Sequence, residues 1–285
     1  MRKLGKFIWN FYVKLSIRHK ITISMIMIST LPVIIVGSIA SQKILSIIDS
    51  QSFVYSKNVL KQSITRIEKM VDEVSNVSVQ IMLKPEIQYF ANNVFNDMEY
   101  IIRTKAIEQY LHLTINNSAY ISSIFLCMDK WSNTVMTSNN LGESDKDNYK
   151  NFMVYKKGVE AGKAIKWTGV HENEFKRDSD GDNRLVLTLS RALYSDDVTE
   201  PFGALVVNIP EKNIRDICDS GLAGKNDALY IVDATGLVLF SPHRDELMKT
   251  LDRSYMDKVL ASKRNEENFI ENIDGNKKYI SYEYS

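Results

Sequence analysis

The segment LKQSITRIEKMVDEVSNVSVQI, residues 60–81, decides how this chain can fold. Its apolar positions recur in alternating steps of four and three, which is the spacing of a heptad seam along one side of a helix. The seam comprises Leu60, Ile64, Ile67, Val71, Val74 and Ile81, with Ser78 as a polar interruption. Pro85 ends the pattern. We therefore predict a long helix over residues 42–84, about 65 Å in length at a rise of about 1.5 Å per residue.

A helix of that length is longer than one small domain. Its apolar seam has two possible packing partners. The apolar side can cover sheets of its own chain, or it can pair with the same helix of a second copy. The two uses are compatible. We therefore expect a helix that packs along stacked sheet units, and a homodimer.

Upstream of the seam, residues 21–40 form an uncharged run of 20 residues. As a helix this run spans about 30 Å, the thickness of the hydrocarbon core of a bilayer. Ser38-Ile39-Ala40 resembles a signal-peptidase site, but the apolar core of a signal peptide is only about 7–15 residues long. The helical pattern also continues past Ala40 without a turn. We predict an uncleaved transmembrane helix over residues 21–41, with the lipid bilayer as its partner.

The charges of the chain are segregated. Residues 1–20 carry six basic residues and no acidic residue, whereas the rest of the chain has 30 basic and 35 acidic residues. Basic residues before a membrane span favour a cytoplasmic N-terminus. We expect a single-pass protein of the cell membrane, with residues 1–20 cytoplasmic and residues 42–285 extracytoplasmic. An acidic folded part also argues against binding to nucleic acid.

Beyond Pro85 the pattern changes from helical to strand-like. A second helical stretch at about 86–118 precedes strand-like runs at 120–128, 134–138, 184–194 and 203–209. A short helix follows Pro210, hairpins are predicted at 229–241 and 268–284, and a helix is predicted near 252–262. The predicted fold is α+β, with a transmembrane helix, a long helix and two antiparallel sheet units. These units are residues 85–222 and 223–285, divided near Gly221 and Gly224.

No catalytic constellation emerges from the sequence. The acidic run DSDGDN, residues 178–183, lacks the glycine and the final acid that an EF-hand loop requires at its fixed positions. The pair His171-Glu172 lacks the second histidine of a zinc-protease helix. The four histidines, at 19, 112, 171 and 243, do not have metal-ligand spacing. We expect no enzymatic activity, no cofactor and no metal site in this chain.

The two cysteines, Cys127 and Cys218, lie among apolar residues. Two buried free thiols are the simpler interpretation. A single disulfide is the alternative, since spacing alone does not show whether the two sulfur atoms meet.

One charge stands on a strand side that should be buried. Arg191 falls in step with Leu187 and Leu189, because side chains two apart share a face of a strand. It either forms an ion pair at the strand end or faces a pocket for an anion. Aromatic and polar residues at nearby loops and strand ends are of the kinds that line small-molecule pockets. The candidate ligand-binding residues are Trp131, Tyr149, Trp167, Arg191, Tyr194 and Asp196.

The order of these pieces resembles a known family. A basic start, a span ending in LPVIIVGSIAS, a long helix and PEIQYFANNV precede YISSIFLCM, LTLSRALYSDD, PFGALVVNI and LYIVDATGLVLFS. This series resembles the N-terminal half of YesM-type sensor histidine kinases of Gram-positive bacteria. The resemblance implies a double Cache domain, in which a long helix lies beside two PAS-like sheets. It also implies that the membrane-distal unit, residues 85–222, binds a small extracellular ligand.

The resemblance further implies signal transduction in a two-component system. The second span, HAMP linker, phosphoacceptor helix and ATP-binding domain of that family have no counterpart within residues 1–285, so we expect a sensor half with an incomplete proximal unit at 223–285. The family's amino-acid-binding run, Arg-x-Trp-Tyr, is missing, which argues against an amino-acid ligand. The alternatives are the same sensor attached to an AraC-type regulator or a chemoreceptor, and an anchored binding or adhesion protein.

Overall fold

The computed structural model describes residues 16–129, 134–137, 148–175, 184–194, 200–222, 224, 227–251, 253, 255–262, 264–273 and 275–284. Its helices are α1 (Ile17–Met82), α2 (Pro85–Asn92), α3 (Asp97–Asn117), α4 (Met153–Glu160), α5 (Glu211–Asp219) and α6 (Met256–Ala261). Its strands are β1 (Ser123–Met128), β2 (Thr134–Thr137), β3 (Lys166–Glu172), β4 (Leu185–Leu193), β5 (Gly203–Pro210), β6 (Ile231–Val232), β7 (Val238–Phe240), β8 (Glu266–Ile273) and β9 (Asn276–Glu283). The predicted α+β class is confirmed.

The predicted transmembrane helix and the predicted long helix are one continuous helix, α1. Judged by length and composition alone, α1 is able to cross a membrane, and its most apolar stretch is wholly exposed. Pro32 lies inside the helix without ending it. Membrane-spanning helices tolerate such a proline because other groups compensate for the lost hydrogen bond.

The heptad seam of α1 packs against the chain's own sheet. Val74, Ser78 and Ile81 are buried, and Val74 and Ile81 belong to the same apolar core as the sheet strands. The prediction that this side of the helix covers a sheet is therefore confirmed. Farther upstream, the side chains of Ile44 and Val54 are exposed. Dimerisation of this helix stays a prediction.

The helical stretch predicted at 86–118 is two helices, α2 and α3. The break has a local cause, because the side chain of Asn96 accepts a hydrogen bond of 2.9 Å from the backbone N–H of Glu99. A residue that caps a helix in this way has an extended backbone, so the preceding helix cannot run through it. Asp97 and Glu99 in the first turn of α3 complement the helix dipole.

Five strands form one antiparallel sheet in the order β2-β1-β5-β4-β3. The strands predicted at 120–128, 134–138, 184–194 and 203–209 are β1, β2, β4 and β5. Strand β3 was not predicted. Its register shifts between Thr168 and His171, and such a bulge interrupts the alternation from which strands are predicted.

The sheet has two unlike faces. The first face packs against α1, α2, α3 and α5 and carries Ile124, Leu126, Leu189, Leu205 and Val207. The second face packs against α4 and carries Phe125, Cys127, Ala204 and Val206. At the β1–β5 contact a Cβ on Gly203 would overlap the carbonyl group of Cys127. Glycine is therefore required for the two strands to approach.

The remaining strands form two ribbons, β6 with β7 and β8 with β9, at the predicted hairpins. The described chain divides into two compact units. Unit 1 contains α1 up to Asn58 together with Asn268–Ser281, and unit 2 contains Val59–Glu267 and residues 282–284. Within unit 1 the ring of Tyr279 packs edge-on against Phe53, with centroids 5.4 Å apart. The predicted boundary between sheet units at 222/223 stays a prediction.

Candidate ligand site

The candidate site is built around Asp129, which directly follows β1. Its backbone N–H donates to the carbonyl of Phe202 over 2.9 Å, so the residue continues the β1–β5 pairing. Alternation along the strand places its carboxylate with Phe125 and Cys127 on the second face of the sheet. The side chain is 33% exposed. A carboxylate is therefore presented at the end of a buried strand, within reach of solvent.

Two tyrosines hold this carboxylate. Tyr149 lies on the 3₁₀ turn Tyr149–Asn151, and its hydroxyl donates to Oδ1 of Asp129 over 2.8 Å. Tyr155 lies on α4, and its hydroxyl donates to Oδ2. The two rings meet edge to face, with centroids 5.1 Å apart. Together with Lys150, these residues form what we call the carboxylate cluster.

In the carboxylate cluster, the anion Asp129 is fixed by two hydrogen bonds, and the cation Lys150 is attached only weakly. Burial, and then the hydrogen bond to Asp129, raise the pKa of Tyr149 and of Tyr155. Both phenols therefore remain neutral donors at physiological pH. Nζ of Lys150 lies 3.5 Å from Oδ1 of Asp129, and the lysine side chain is 45% exposed. An ion pair this exposed contributes little, so another cation can replace the lysine.

Helix α4 is seated firmly enough to position Tyr155. The carboxylate of Glu174 accepts hydrogen bonds of 2.9 Å from the backbone N–H groups of Met153 and Val154, at the start of the helix. A Cβ on Gly158 would lie 3.1 Å from Cβ of Ser190 on β4. A side chain at this position would press on β4, so glycine favours this close approach of the helix to the sheet.

The structure brings one of the sequence-predicted residues, Tyr149, into the carboxylate cluster. Tyr194 lies near the end of α4, where Nζ of Lys163 is 5.8 Å from the centroid of its ring. Trp167 pairs with Leu189 and Arg191 pairs with Leu205, both on the first face. These two side chains are therefore on the side of the sheet opposite Tyr149. Trp131 and Asp196 lie outside the described residues.

Arg191 shares the face of Leu187 and Leu189, as predicted, and is 7% exposed. Its Nη1 donates to the hydroxyl of Ser78 on α1 over 3.3 Å, and no carboxylate among the described residues pairs with it. Burial lowers the pKa of its guanidinium. Ser78, the polar interruption of the heptad seam, is therefore the hydrogen-bond partner of Arg191, the charged residue on the apolar side of β4.

Sequence reasoning missed Asp129, Lys150 and Tyr155. Two local signals were available: an acidic residue at the end of a predicted strand, and a second tyrosine six residues after Tyr149. Neither was decisive, because α4 was not predicted and Tyr155 therefore had no assigned position.

The prediction of two buried free thiols is confirmed. Cys127 lies in the core of the second face, and Cys218 lies in the core shared with the first face. Burial raises the pKa of both, that of Cys218 to about 12. Both thiols are therefore protonated and poorly nucleophilic at neutral pH.

The sequence matches no protein-family model and no curated protein. The fold, in contrast, is similar to that of bacterial sensory domains. One similar structure is the ligand-binding domain of the Pseudomonas aeruginosa amino acid chemoreceptor PctB in complex with L-Arg, with TM-score 0.53 and 15% identity over 81% of this chain and 87% of that chain. Another is the periplasmic sensory domain of the Campylobacter jejuni chemoreceptor Tlp1, with TM-score 0.55 and 14% identity over 78% and 86% of the two chains.

A third similar structure is the ligand-binding domain of the Pseudomonas aeruginosa amino acid chemoreceptor PctC in complex with GABA. It has TM-score 0.51 and 14% identity over 73% of this chain and 82% of that chain. At such identities the similarity concerns the fold. The chain therefore has the fold of chemoreceptor ligand-binding domains, in agreement with the Cache-type sensor that the sequence order implied.

Proposed function

We propose that this chain is the extracytoplasmic, ligand-sensing part of a membrane receptor, and that its ligand binds at the carboxylate cluster. The observation that carries the proposal is the state of Asp129. Each of its oxygens is held by a neutral phenol, and the carboxylate remains partly exposed. A stable fold does not require an anion fixed in this way, but a binding site benefits from one, because its geometry is set before the ligand arrives.

The chemistry of the cluster favours a small ligand with a cationic group. Such a group displaces Lys150 from Asp129 and lies beside the rings of Tyr149 and Tyr155, where cation–π attraction adds to the charge pair. The ligands of two structural neighbours, L-Arg and GABA, both carry a cationic nitrogen. This proposal requires no carboxylate on the ligand, so it is compatible with the missing Arg-x-Trp-Tyr run.

We propose in addition that the receptor is a sensor histidine kinase of a two-component system and that this chain is not itself catalytic. The order of its sequence elements supports the first point, and its similarity to sensory domains supports the second. The basic residues before the uncharged run 21–40 support a cytoplasmic N-terminus. Exposed apolar residues of α1, such as Ile47 and Val54, support pairing of two copies.

A chemoreceptor is the second candidate, and the structural neighbours favour it. Sequencing the gene beyond codon 285 distinguishes the two outputs. A phosphoacceptor helix with an ATP-binding domain supports the kinase, whereas a methyl-accepting signalling domain supports the chemoreceptor. An AraC-type DNA-binding domain at that place would contradict both candidates and support a transcription regulator.

The binding proposal is tested with the full chain purified in detergent. Thermal-shift and calorimetric screening against small amines, amino acids, neutral sugars and carboxylic acids should identify a cationic ligand. Asp129→Asn should weaken its binding at least about tenfold, since the charge pair is lost. The matched control is Asp72→Asn, an exposed carboxylate on α1, which should leave the affinity unchanged.

Two results would contradict this assignment. A ligand that binds wild type and Asp129→Asn equally would place the site elsewhere. Binding to a macromolecular cell-surface partner, with no small cation binding at any concentration tested, would favour the adhesion alternative.

A further inference from the structure

A row of polar side chains crosses the second face of the sheet, away from the carboxylate cluster. Ser123 on β1 pairs with Asn208 on β5, Asn208 with Thr188 on β4, and Thr188 with Thr168 on β3. All four side chains are buried. Polar groups in such a place are stable only when their hydrogen bonds are made. The side chains of Asn208 and Thr188 make such bonds, whereas the hydroxyls of Ser123 and Thr168 have no partner among the described residues. The direction of the bonds at Asn208 and Thr188 is therefore informative.

The direction of the first bonds is set by the backbone. The N–H of Phe175 donates to Oδ1 of Asn173 over 3.1 Å, which fixes the orientation of that amide, because a backbone N–H can only donate. Nδ2 of Asn208 donates to the same oxygen over 3.0 Å, so Oδ1 of Asn208 faces Thr188. The hydroxyl of Thr188 donates to it over 2.7 Å. The single hydrogen of Thr188 is thereby used.

The chain of bonds continues to His171 on β3. Nδ1 of His171 lies 2.8 Å from the carbonyl oxygen of Gly169, and a carbonyl only accepts, so Nδ1 carries a hydrogen. Nε2 of His171 lies 3.4 Å from the hydroxyl oxygen of Thr188. In the neutral ring both of these atoms present lone pairs to each other. A bond forms here only when Nε2 also carries a hydrogen, which makes the ring an imidazolium.

We propose that His171 is a proton-binding site of the sensor, and that its protonation completes an unbroken hydrogen-bond chain from the N–H of Phe175 to the carbonyl of Gly169. This chain ties β3 to β4 and β5 on the second face. The proton acts on the sensor without any other ligand, so its site at His171 is additional to the small-ligand site. The protein then responds to the pH outside the membrane.

The charges around His171 connect it to the carboxylate cluster. Glu174, in the loop after β3, favours the protonated ring, and Lys157 on α4 opposes it. On the neighbouring strand ends Glu172 and Arg184 pair with each other over 3.2 Å. Burial lowers the pKa of His171 below 6.5, so the ring is neutral at pH 7 and takes up a proton on acidification. Glu174 is also the residue that binds the start of α4, and α4 carries Tyr155. Protonation therefore acts on an anchor of the candidate site.

The test is a histidine titration by NMR on the full chain in detergent, labelled at the ring carbons and nitrogens of its four histidines. The His171→Gln variant assigns the resonance. Above its pKa, His171 should be the tautomer with hydrogen on Nδ1. The opposite tautomer in wild type would overturn the proposal without any variant being needed.

The Thr188→Val variant tests the direction of the decisive bond. Thr188 accepts from the charged ring in this proposal, so its loss should lower the pKa of His171 by about half a unit or more. Thr188→Ser should restore the value, and Thr114→Val on α3 is the matched control with no effect. A rise in the pKa of His171 in Thr188→Val would show that Thr188 donates to a neutral ring, and the proposal would fail.

The coupling to α4 is measured by amide hydrogen exchange at pH 5.0 and pH 7.5, corrected for the intrinsic rates. Burial holds the folded-state pKa of His171 below its ordinary value, so protonation favours the opened state. Acidification should therefore decrease the protection of β3 and of the first turn of α4 about fivefold in wild type, and it should have no such effect in His171→Gln. Equal protection changes in the two proteins would overturn the coupling.

Discussion

The two faces of the five-stranded sheet are buried to a similar degree but are built from different interactions. On the first face, leucine, isoleucine and valine pack against helices, and Arg191 with its Ser78 partner is a charged exception. On the second face, aromatic rings lie among polar groups, and hydrogen bonds join polar groups both at Asn208 and in the carboxylate cluster at Asp129. Apolar packing is non-directional and supplies stability. Directional bonds to charged and titratable groups are what a sensor can use to recognise a ligand.

Truncation of a leucine on the first face should cause the largest loss of stability. Leu126 is fully buried in the core shared with α1. Leu126→Ala should lower the free energy of unfolding by about 3 kcal/mol, because a cavity adds to the lost transfer energy. Urea denaturation of the detergent-solubilised chain measures this loss. Leu113→Ala is the matched control, since Leu113 on α3 is 59% exposed, and a comparable loss in this control would show that the first face is not the source of stability.

High pH should weaken the second face through three groups. The folded-state pKa values of Tyr149, Tyr155 and Cys127 are raised above their ordinary values. The folded state therefore keeps protons that the unfolded state releases. The stabilising contribution of each tyrosine is complete below pH 10 and is lost above it, by about 1.4 kcal/mol per pH unit and group.

Denaturation between pH 8 and 11 measures this dependence. The double variant Tyr149→Phe with Tyr155→Phe should make the loss of stability above pH 10 less steep, whereas Tyr89→Phe, at an exposed position, should not. An unchanged slope in the double variant would show that the carboxylate cluster does not control alkaline stability.

The charged exception on the first face should cost stability. Arg191→Met replaces a buried guanidinium by an apolar chain of similar length, and we expect the free energy of unfolding to rise by about 1 kcal/mol. Ser78 keeps its own bond of 2.6 Å to the carbonyl of Ser75, so no buried hydroxyl is left without an acceptor. A loss of several kcal/mol instead would reveal that Arg191 neutralises a buried anion.

The smallest effect on stability is expected for Lys150, the exposed cation of the second face. Lys150→Ala should change the free energy of unfolding by less than about 0.5 kcal/mol, because the pair with Asp129 is largely solvated. The same variant should bind a cationic ligand at least as tightly as wild type, since a competing charge is gone. Lys69→Ala on α1 is the matched control for both measurements. Weaker ligand binding in Lys150→Ala alone would mean that the lysine contacts the ligand.

The sequence by itself determined the elements whose pattern is local. The heptad seam predicted a helix that covers a sheet, and alternation predicted β1, β2, β4 and β5, because side-chain periods of 3.6 and 2 follow from the backbone alone. Apolar neighbours likewise predicted that Cys127 and Cys218 are buried thiols, and spacing placed Arg191 on the side of Leu187 and Leu189.

Only the tertiary structure decided what meets on each face. Asp129 is joined to Tyr149 and Tyr155 across 20 and 26 residues of sequence, and no local period encodes a contact of that separation. The pairing of Trp167 with Leu189 and of Arg191 with Leu205 places both side chains opposite Tyr149. Strand order depends on long-range pairing that forms against loop-closure entropy. The kinds of residue in the candidate site could therefore be predicted from the sequence. The face of the sheet on which they come together is determined only by the folded structure.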